Sequence, residues 1–162
     1  MIQLLKIENI EEVMKILKKV VFHMQNQGID QWDSIYPSYE IIRQDIEENA
    51  AYGLWENGKI CAYIALNEKY DLEYDTVFWK IQGKFLVAHR LFIAPEHQGR
   101  GNAKTLMDFA ENQAKNNGYS SIRLDAFSQN PMAMRLYESR DYQRAGSIYL
   151  RKGLFFCYEK KI

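Results

Sequence analysis

An apolar run from Phe85 to Ile93 stops at Pro95. It is followed by the polar loop Glu96-His97-Gln98-Gly99-Arg100-Gly101, and then by apolar residues at Ala103, Leu106, Met107 and Ala110. No other stretch constrains the chain as much. The run reads as a strand and the later spacing as a helix, so the segment is strand, glycine turn, helix. Such a turn offers successive backbone N–H groups at the positive end of a helix. Gly99 and Gly101 remove the side chains that would hold an anion at a distance. The expected ligand is a phosphate or pyrophosphate.

Three phosphate-binding loops compete for this stretch. A nucleoside triphosphatase loop, G-x-x-x-x-G-K-[ST], would use Lys104-Thr105, but its two glycine positions hold Gln98 and Ala103. A dinucleotide fingerprint, G-x-G-x-x-G, starting at Gly99 lacks its third glycine, because Lys104 stands there. The pattern that fits is Q-x-x-G-x-A at Gln98, Gly101 and Ala103. Here the chain resembles the GNAT superfamily of acyl-CoA-dependent N-acyltransferases, whose pyrophosphate loop reads Q/R-x-x-G-x-G/A. The resemblance implies acetyl-CoA as co-substrate and no metal. Gln98, Gly99, Arg100, Gly101, Asn102 and Ala103 are then the pyrophosphate contacts. Leu91, Phe92 and Ile93 are implied to bind pantetheine through their main chain, in a gap where the pyrophosphate strand parts from its neighbour.

A second motif lies downstream. Asn130, Ala133, Leu136, Tyr137 and Glu138 match N-x-x-A-x-x-L-Y-E, with Asp141-Tyr142 where the family usually has Gly-Phe. In the family the tyrosine hydrogen-bonds the CoA sulfur, so the resemblance implies that Tyr137 is the acid for the departing thiolate and Asn130 a cofactor contact. Read without the family, Asn130 is a helix N-cap and Tyr137 an aromatic packed on a helix face. The implied fold is an α+β sandwich of GNAT type: a central mixed, mostly antiparallel sheet of about seven strands, splayed between strands 4 and 5 and flanked by about four helices. Residues 1–162 are expected to form one such domain. The segment QWDSIYP resembles a group of small bacterial-type members of the superfamily.

For chemistry, the implied reaction is direct attack of a primary amine, on a small molecule or a peptide N-terminus, on the acetyl thioester. Trp32 and Tyr36 lie in the region that forms one wall of the acceptor site in the family. They serve equally well as a cover for the core, and Asp125 is a third candidate acceptor contact. His89 has the pKa range of a general base, yet a histidine in a buried strand is more often a hydrogen-bonded core residue. Glu68, Glu73, Asp75 and Asp125 are the other candidate bases. A covalent route through Cys61 or Cys157 lacks a local histidine or acid partner. The alternative from another class is a non-catalytic acyl-CoA sensor of the same fold, against which Tyr137 and the intact glycine loop argue.

Charge excludes further classes. Lys+Arg and Asp+Glu both number 21, so no basic surplus points to nucleic acid. No apolar run approaches membrane-spanning length, and the N-terminus lacks a signal-peptide apolar core. Two distant cysteines and the absence of a C-x-x-C motif suit a cytoplasmic protein. His23, His89 and His97 form no ligand pair at metal-binding spacing, and no metal is expected. A homodimer is among the assemblies the family resemblance allows.

The remaining elements follow from periodicity and punctuation. Met1 to Ile7 reads as a strand, and Asn9 with Glu12 as a capping box opening a helix that Gly28 stops. Ser38 caps a short helix, and Asn57-Gly58 joins two strands in a hairpin. Residues 67–83 form a long segment of a kind usually functional or mobile, and residue by residue the plainer reading is a solvated loop with aromatic anchors. Ser121 to Phe127 alternates as a strand parallel to Phe85–Ile93, and a hairpin from Tyr142 to Tyr158 closes the chain.

Overall fold

The fold is described from a computed structural model covering residues 1–162. Seven strands are β1 (Ile2–Leu4), β2 (Ala51–Glu56), β3 (Lys59–Asn67), β4 (Phe85–Ile93), β5 (Ser121–Phe127), β6 (Gln143–Leu150) and β7 (Gly153–Lys161). Four helices are α1 (Ile10–Asn26), α2 (Tyr39–Glu47), α3 (Asn102–Asn116) and α4 (Pro131–Glu138). The strands form one mixed sheet in the order β1-β2-β3-β4-β5-β7-β6. The pairings β1–β2, β2–β3, β5–β7 and β6–β7 are antiparallel, whereas that of β4 with β5 is parallel and covers only Phe85–Val87 against Ser121–Arg123. This is the expected α+β architecture, with the two central strands parting after Val87.

Contacts group the residues into two compact units. The first holds residues 1–66 and 90–109. Its core follows from helical spacing: α1 turns Ile10, Val13, Ile16, Leu17 and Val20 inward, and they meet Ile42 and Ile46 of α2 and Tyr63 of β3. The Phe92 ring stacks on Tyr63 at 4.8 Å and takes the edge of Trp32 at 5.9 Å. Asn57 and Gly58 both take positive φ in the β2–β3 turn, as an Asn-Gly hairpin requires. Ser38 caps α2 by accepting from the Ile41 N–H at 3.3 Å.

The start of α1 departs from expectation. Asn9 spends its side chain on the Lys6 N–H at 2.9 Å, closing a short 3-10 turn before the helix. The Glu12 carboxylate accepts from the Ile60 N–H at 2.9 Å instead of reaching back to cap. A pairing 48 residues distant satisfied a group that local pattern assigned to its own helix.

The second unit holds residues 67–89 and 110–162. Here β7 lies between β5 and β6, paired with β5 along its whole length. Asn130 caps α4 by accepting from the Ala133 N–H at 3.2 Å, and Asp141 takes the left-handed conformation, φ 65°, after the helix. Segment 67–83 is anchored at several points. Buried Glu159 accepts from the N–H groups of Lys80 at 2.8 Å and Ile81 at 3.2 Å. Tyr74 is 2% exposed and donates to Asp125 at 2.6 Å. The Arg123 guanidinium lies 3.8 Å from the Phe85 ring and 4.4 Å from that of Trp79. Tyr74 and Trp79 are thus aromatic anchors of this segment.

Candidate functional site

In the first unit the residues expected to hold the pyrophosphate form one continuous turn. Pro95–His97 is a 3-10 turn, and Gln98 folds back so that its amide donates to the Ile93 carbonyl at 3.1 Å. Gly99 and Gly101 have φ of 72° and 83°, the left-handed region that side chains disfavour. A Cβ at either position would meet nothing within 4 Å. The glycines are therefore required by the turn, and the space over the loop is open to a ligand. Helix α3 begins immediately, at Asn102 and Ala103, with its first-turn N–H groups directed toward the loop end. The residues present fit a bound pyrophosphate.

Upstream in the same unit, Phe92 and Ile93 are buried while Leu91 is half-buried. The side chain of Phe92 belongs to the core, which leaves the main chain to any ligand at this strand. Arg90 interrupts β4 with a φ of 50°, rare for a residue with a side chain. Its guanidinium is committed inward. Nε donates to Asp45 Oδ2 at 2.8 Å, Nη2 to Asp45 Oδ1 at 2.6 Å, and Nη1 to the Tyr36 hydroxyl at 3.2 Å. Tyr63 completes the cluster by donating to Asp45 at 2.6 Å. Burial and the neighbouring Asp45 charge push the Tyr63 phenol well above its ordinary range. Tyr36 is thus tied to a buried ion pair, and Trp32, 7% exposed, packs as a core aromatic.

In the second unit, Tyr137 is 8% exposed, on α4, with ring neighbours Tyr142 at 5.9 Å and Tyr158 at 6.1 Å. Burial first, then the charge of Asp125 and the Tyr158 phenol, push its own phenol well up, so it stays protonated near neutral pH. Asp125 of β5 holds one oxygen against Tyr74. His89 Nε2 lies 2.8 Å from Asn67 Oδ1. That oxygen also accepts from the Lys69 N–H at 2.9 Å, so it is the acceptor atom of the amide. Nε2 therefore donates to it.

Other expected bases are placed differently. Glu68 is exposed, bonded by Tyr119 at 2.7 Å and paired with Lys84 at 3.0 Å, and these contacts hold its carboxyl below the usual range. Glu73 and Asp75 are exposed on a 3-10 turn. Burial pushes the Cys61 thiol up to about 11 and the Cys157 thiol up to about 12, so neither is an activated nucleophile.

Sequence reasoning missed Asp45, Tyr63 and Tyr74 as partners of the expected residues. It also missed a cluster in the first unit, where Glu56, Cys61 and His97 bring a carboxylate, a thiol and an imidazole within 4.8 Å of one another. Spacing between histidines could not show it, because each residue comes from a different element. The carboxylate and the imidazole are already bonded to each other at 2.8 Å.

A left-handed glycine turn feeds α3, β4 leaves its parallel neighbour after three pairs, and α4 carries a buried tyrosine. Residues 15–142 match the acetyltransferase (GNAT) family, and the chain belongs to it. No curated protein matches the sequence. Among solved structures, an acetyltransferase of the GNAT family from Streptococcus agalactiae is similar over 100% of this chain and 95% of its own, at 24% identity and a TM-score of 0.88. The PaiA N-acetyltransferase from Thermoplasma acidophilum, solved with coenzyme A, is similar over 100% and 98%, at 21% identity and a TM-score of 0.74. YncA from Salmonella typhimurium, a putative acetyltransferase solved with acetyl-CoA, is similar over 99% and 92%, at 14% identity and a TM-score of 0.74. These similarities concern the fold. No helix of the chain is long and apolar enough to cross a membrane.

Proposed function

We propose that residues 1–162 act as one cytoplasmic domain that transfers an acetyl group from acetyl-CoA to a primary amine on a small molecule or peptide N-terminus, in a ternary complex. The observation that carries this reading is the Gln98–Ala103 turn, with two left-handed glycines and open space above them at the start of a helix. Acetyl-CoA supplies the activated thioester. The turn binds the pyrophosphate through N–H groups, and the main chain of Leu91, Phe92 and Ile93 holds the pantetheine arm. Asn130 contributes a further contact beside its capping role. Tyr36 and Asp125 bind the acceptor, Asp125 through charge attraction to the ammonium form, and Trp32 supports Tyr36 from the core. His89 takes the amine proton. Tyr137 donates a hydrogen bond to the leaving sulfur.

The test is calorimetric titration with acetyl-CoA, followed by a panel of amines and peptide N-termini with detection of released thiol. Binding with acetylation of at least one amine supports the reading. Binding without turnover across a broad panel favours the sensor, and absence of binding refutes both. Gly101→Val adds a probe of the loop. The Cβ it adds would meet no protein atom within 4 Å but would stand where the phosphates are proposed to lie. The positive φ adds roughly 1–2 kcal/mol of local strain. Acetyl-CoA affinity should fall by at least about tenfold while the folded state persists in circular dichroism.

A further inference from the structure

The glycine turn is open above, but it is braced from below by a residue that the reaction does not use. Glu56, the last residue of β2, sits where its carboxylate accepts from His97 Nδ1 at 2.8 Å. His97 is the last residue of the 3-10 turn before Gln98, so this bond fixes the entry to the loop. The same carboxylate receives a hydrogen bond from the Asn102 side chain and feels the charge of Arg100. Asn102, the first residue of α3, also donates from Nδ2 to the His97 carbonyl at 3.1 Å. Entry and exit of the turn are thus joined to one carboxylate and to each other. Asn102 is 8% exposed, which leaves its side chain little freedom to do otherwise.

A carboxylate near a site for a dianion is unfavourable by simple Coulomb repulsion, so charge alone gives no reason for Glu56 to be there. Its geometry does. A loop containing Gly99 and Gly101 has large conformational freedom, and ordering it when ligand arrives would weaken binding. A brace that joins His97 to Asn102 removes that freedom beforehand.

We infer that Glu56 is a positioning residue for the cofactor: it clamps His97 and Asn102 so that the turn 98–101 is preorganised for a pyrophosphate. The inference rests on the proposed role of the loop. It assigns to Glu56 no contact with ligand.

The clamp is tested with Glu56→Gln and His97→Gln, titrated with CoA and, separately, with pantetheine, which lacks the phosphates. Glu56 is half-exposed, and its replacement leaves the core intact. The expected result is a CoA affinity reduced by about tenfold in each variant, with pantetheine affinity unchanged. CoA affinity that is unchanged or improved in Glu56→Gln overturns the clamp, since relief of repulsion would then dominate. Equal weakening toward both ligands also overturns it, because a general loosening of the fold would not distinguish them. A parent protein that binds no CoA overturns the pyrophosphate reading together with the clamp, whereas a parent that binds and a variant that is unaffected overturn the clamp alone.

Discussion

Replacing Asp45 with alanine is expected to lower stability by about 3–5 kcal/mol, the largest effect of any single exchange at the sites described. The side chains of Asp45 and Arg90 are only 6% and 11% exposed. Asp45 receives two bonds from the guanidinium and one from Tyr63. Its removal leaves a buried cation without its carboxylate and a phenol without its acceptor, and the penalty of the stranded charge outweighs the modest net worth of the intact pair. Burial acts to lower the Arg90 pKa, but Tyr36 and Asp45 more than offset it, so the guanidinium cannot escape by losing its proton. Urea denaturation of the parent and the variant measures the difference. A loss below about 1 kcal/mol would mean that water or another group takes over the role of Asp45. Two further exchanges separate side chain from backbone. Arg90→Gly and Arg90→Ala lose the same guanidinium, but only glycine accepts a φ of 50° without strain. Glycine should therefore be the milder change by about 0.5–1 kcal/mol, reversing the usual order for a strand.

The second large effect concerns rate. Tyr137→Phe removes one oxygen from a side chain packed beside Tyr142 and Tyr158 and should leave the fold and acetyl-CoA affinity nearly unchanged. Because burial, Asp125 and Tyr158 drive the phenol upward, its proton is present near neutral pH. Full transfer to a thiolate, whose ordinary pKa is about 8.5, is uphill from such a phenol. Hydrogen bonding to the developing thiolate is the larger part of the proposed role, which places the loss near 10²-fold, the lower end of general acid catalysis. Single-turnover measurements, where the chemical step is isolated, read that loss directly. The parent's rate should show no alkaline decline traceable to Tyr137 below about pH 10. Unchanged single-turnover rates would assign the proton to water or another group; an unfolded variant would make Tyr137 a core aromatic first.

Much of this was visible in residues whose meaning is local. The Asn-Gly hairpin, the cap at Ser38, and the bounds of Phe85–Ile93 and Ser121–Phe127 each follow from the preferences of a few neighbouring residues. What was hidden joins residues far apart. Arg90 reads in sequence as an interruption of an apolar strand, and nothing near it announces a carboxylate 45 residues away. Glu12 looked like a cap because its true partner, Ile60, lies on another element. Segment 67–83 shows its aromatic anchors in the sequence but not the carboxylates that hold it, Asp125 and Glu159, which come from strands late in the chain. The candidate site divides in the same way. Its glycine loop and tyrosine motif carry sequence patterns, whereas Glu56, bonded to His97, and Tyr74, bonded to Asp125, carry none.

The position of β7 between β5 and β6 has a consequence for how the second unit is made. During synthesis β5 and β6 leave the ribosome first, yet neither pairs with the other in the finished sheet. Each must wait with an open edge until residues 153–161 emerge to separate and join them. The waiting strands include the apolar residues Ile122, Leu124, Ala126 and Ile148, all buried in the end. Pairing of β5 with β7 spans a long stretch of sequence, and such contacts form slowly. A nascent chain halted between β6 and β7 therefore presents two strand edges that only β7 covers in the finished sheet, and open edges of this kind invite pairing with other chains.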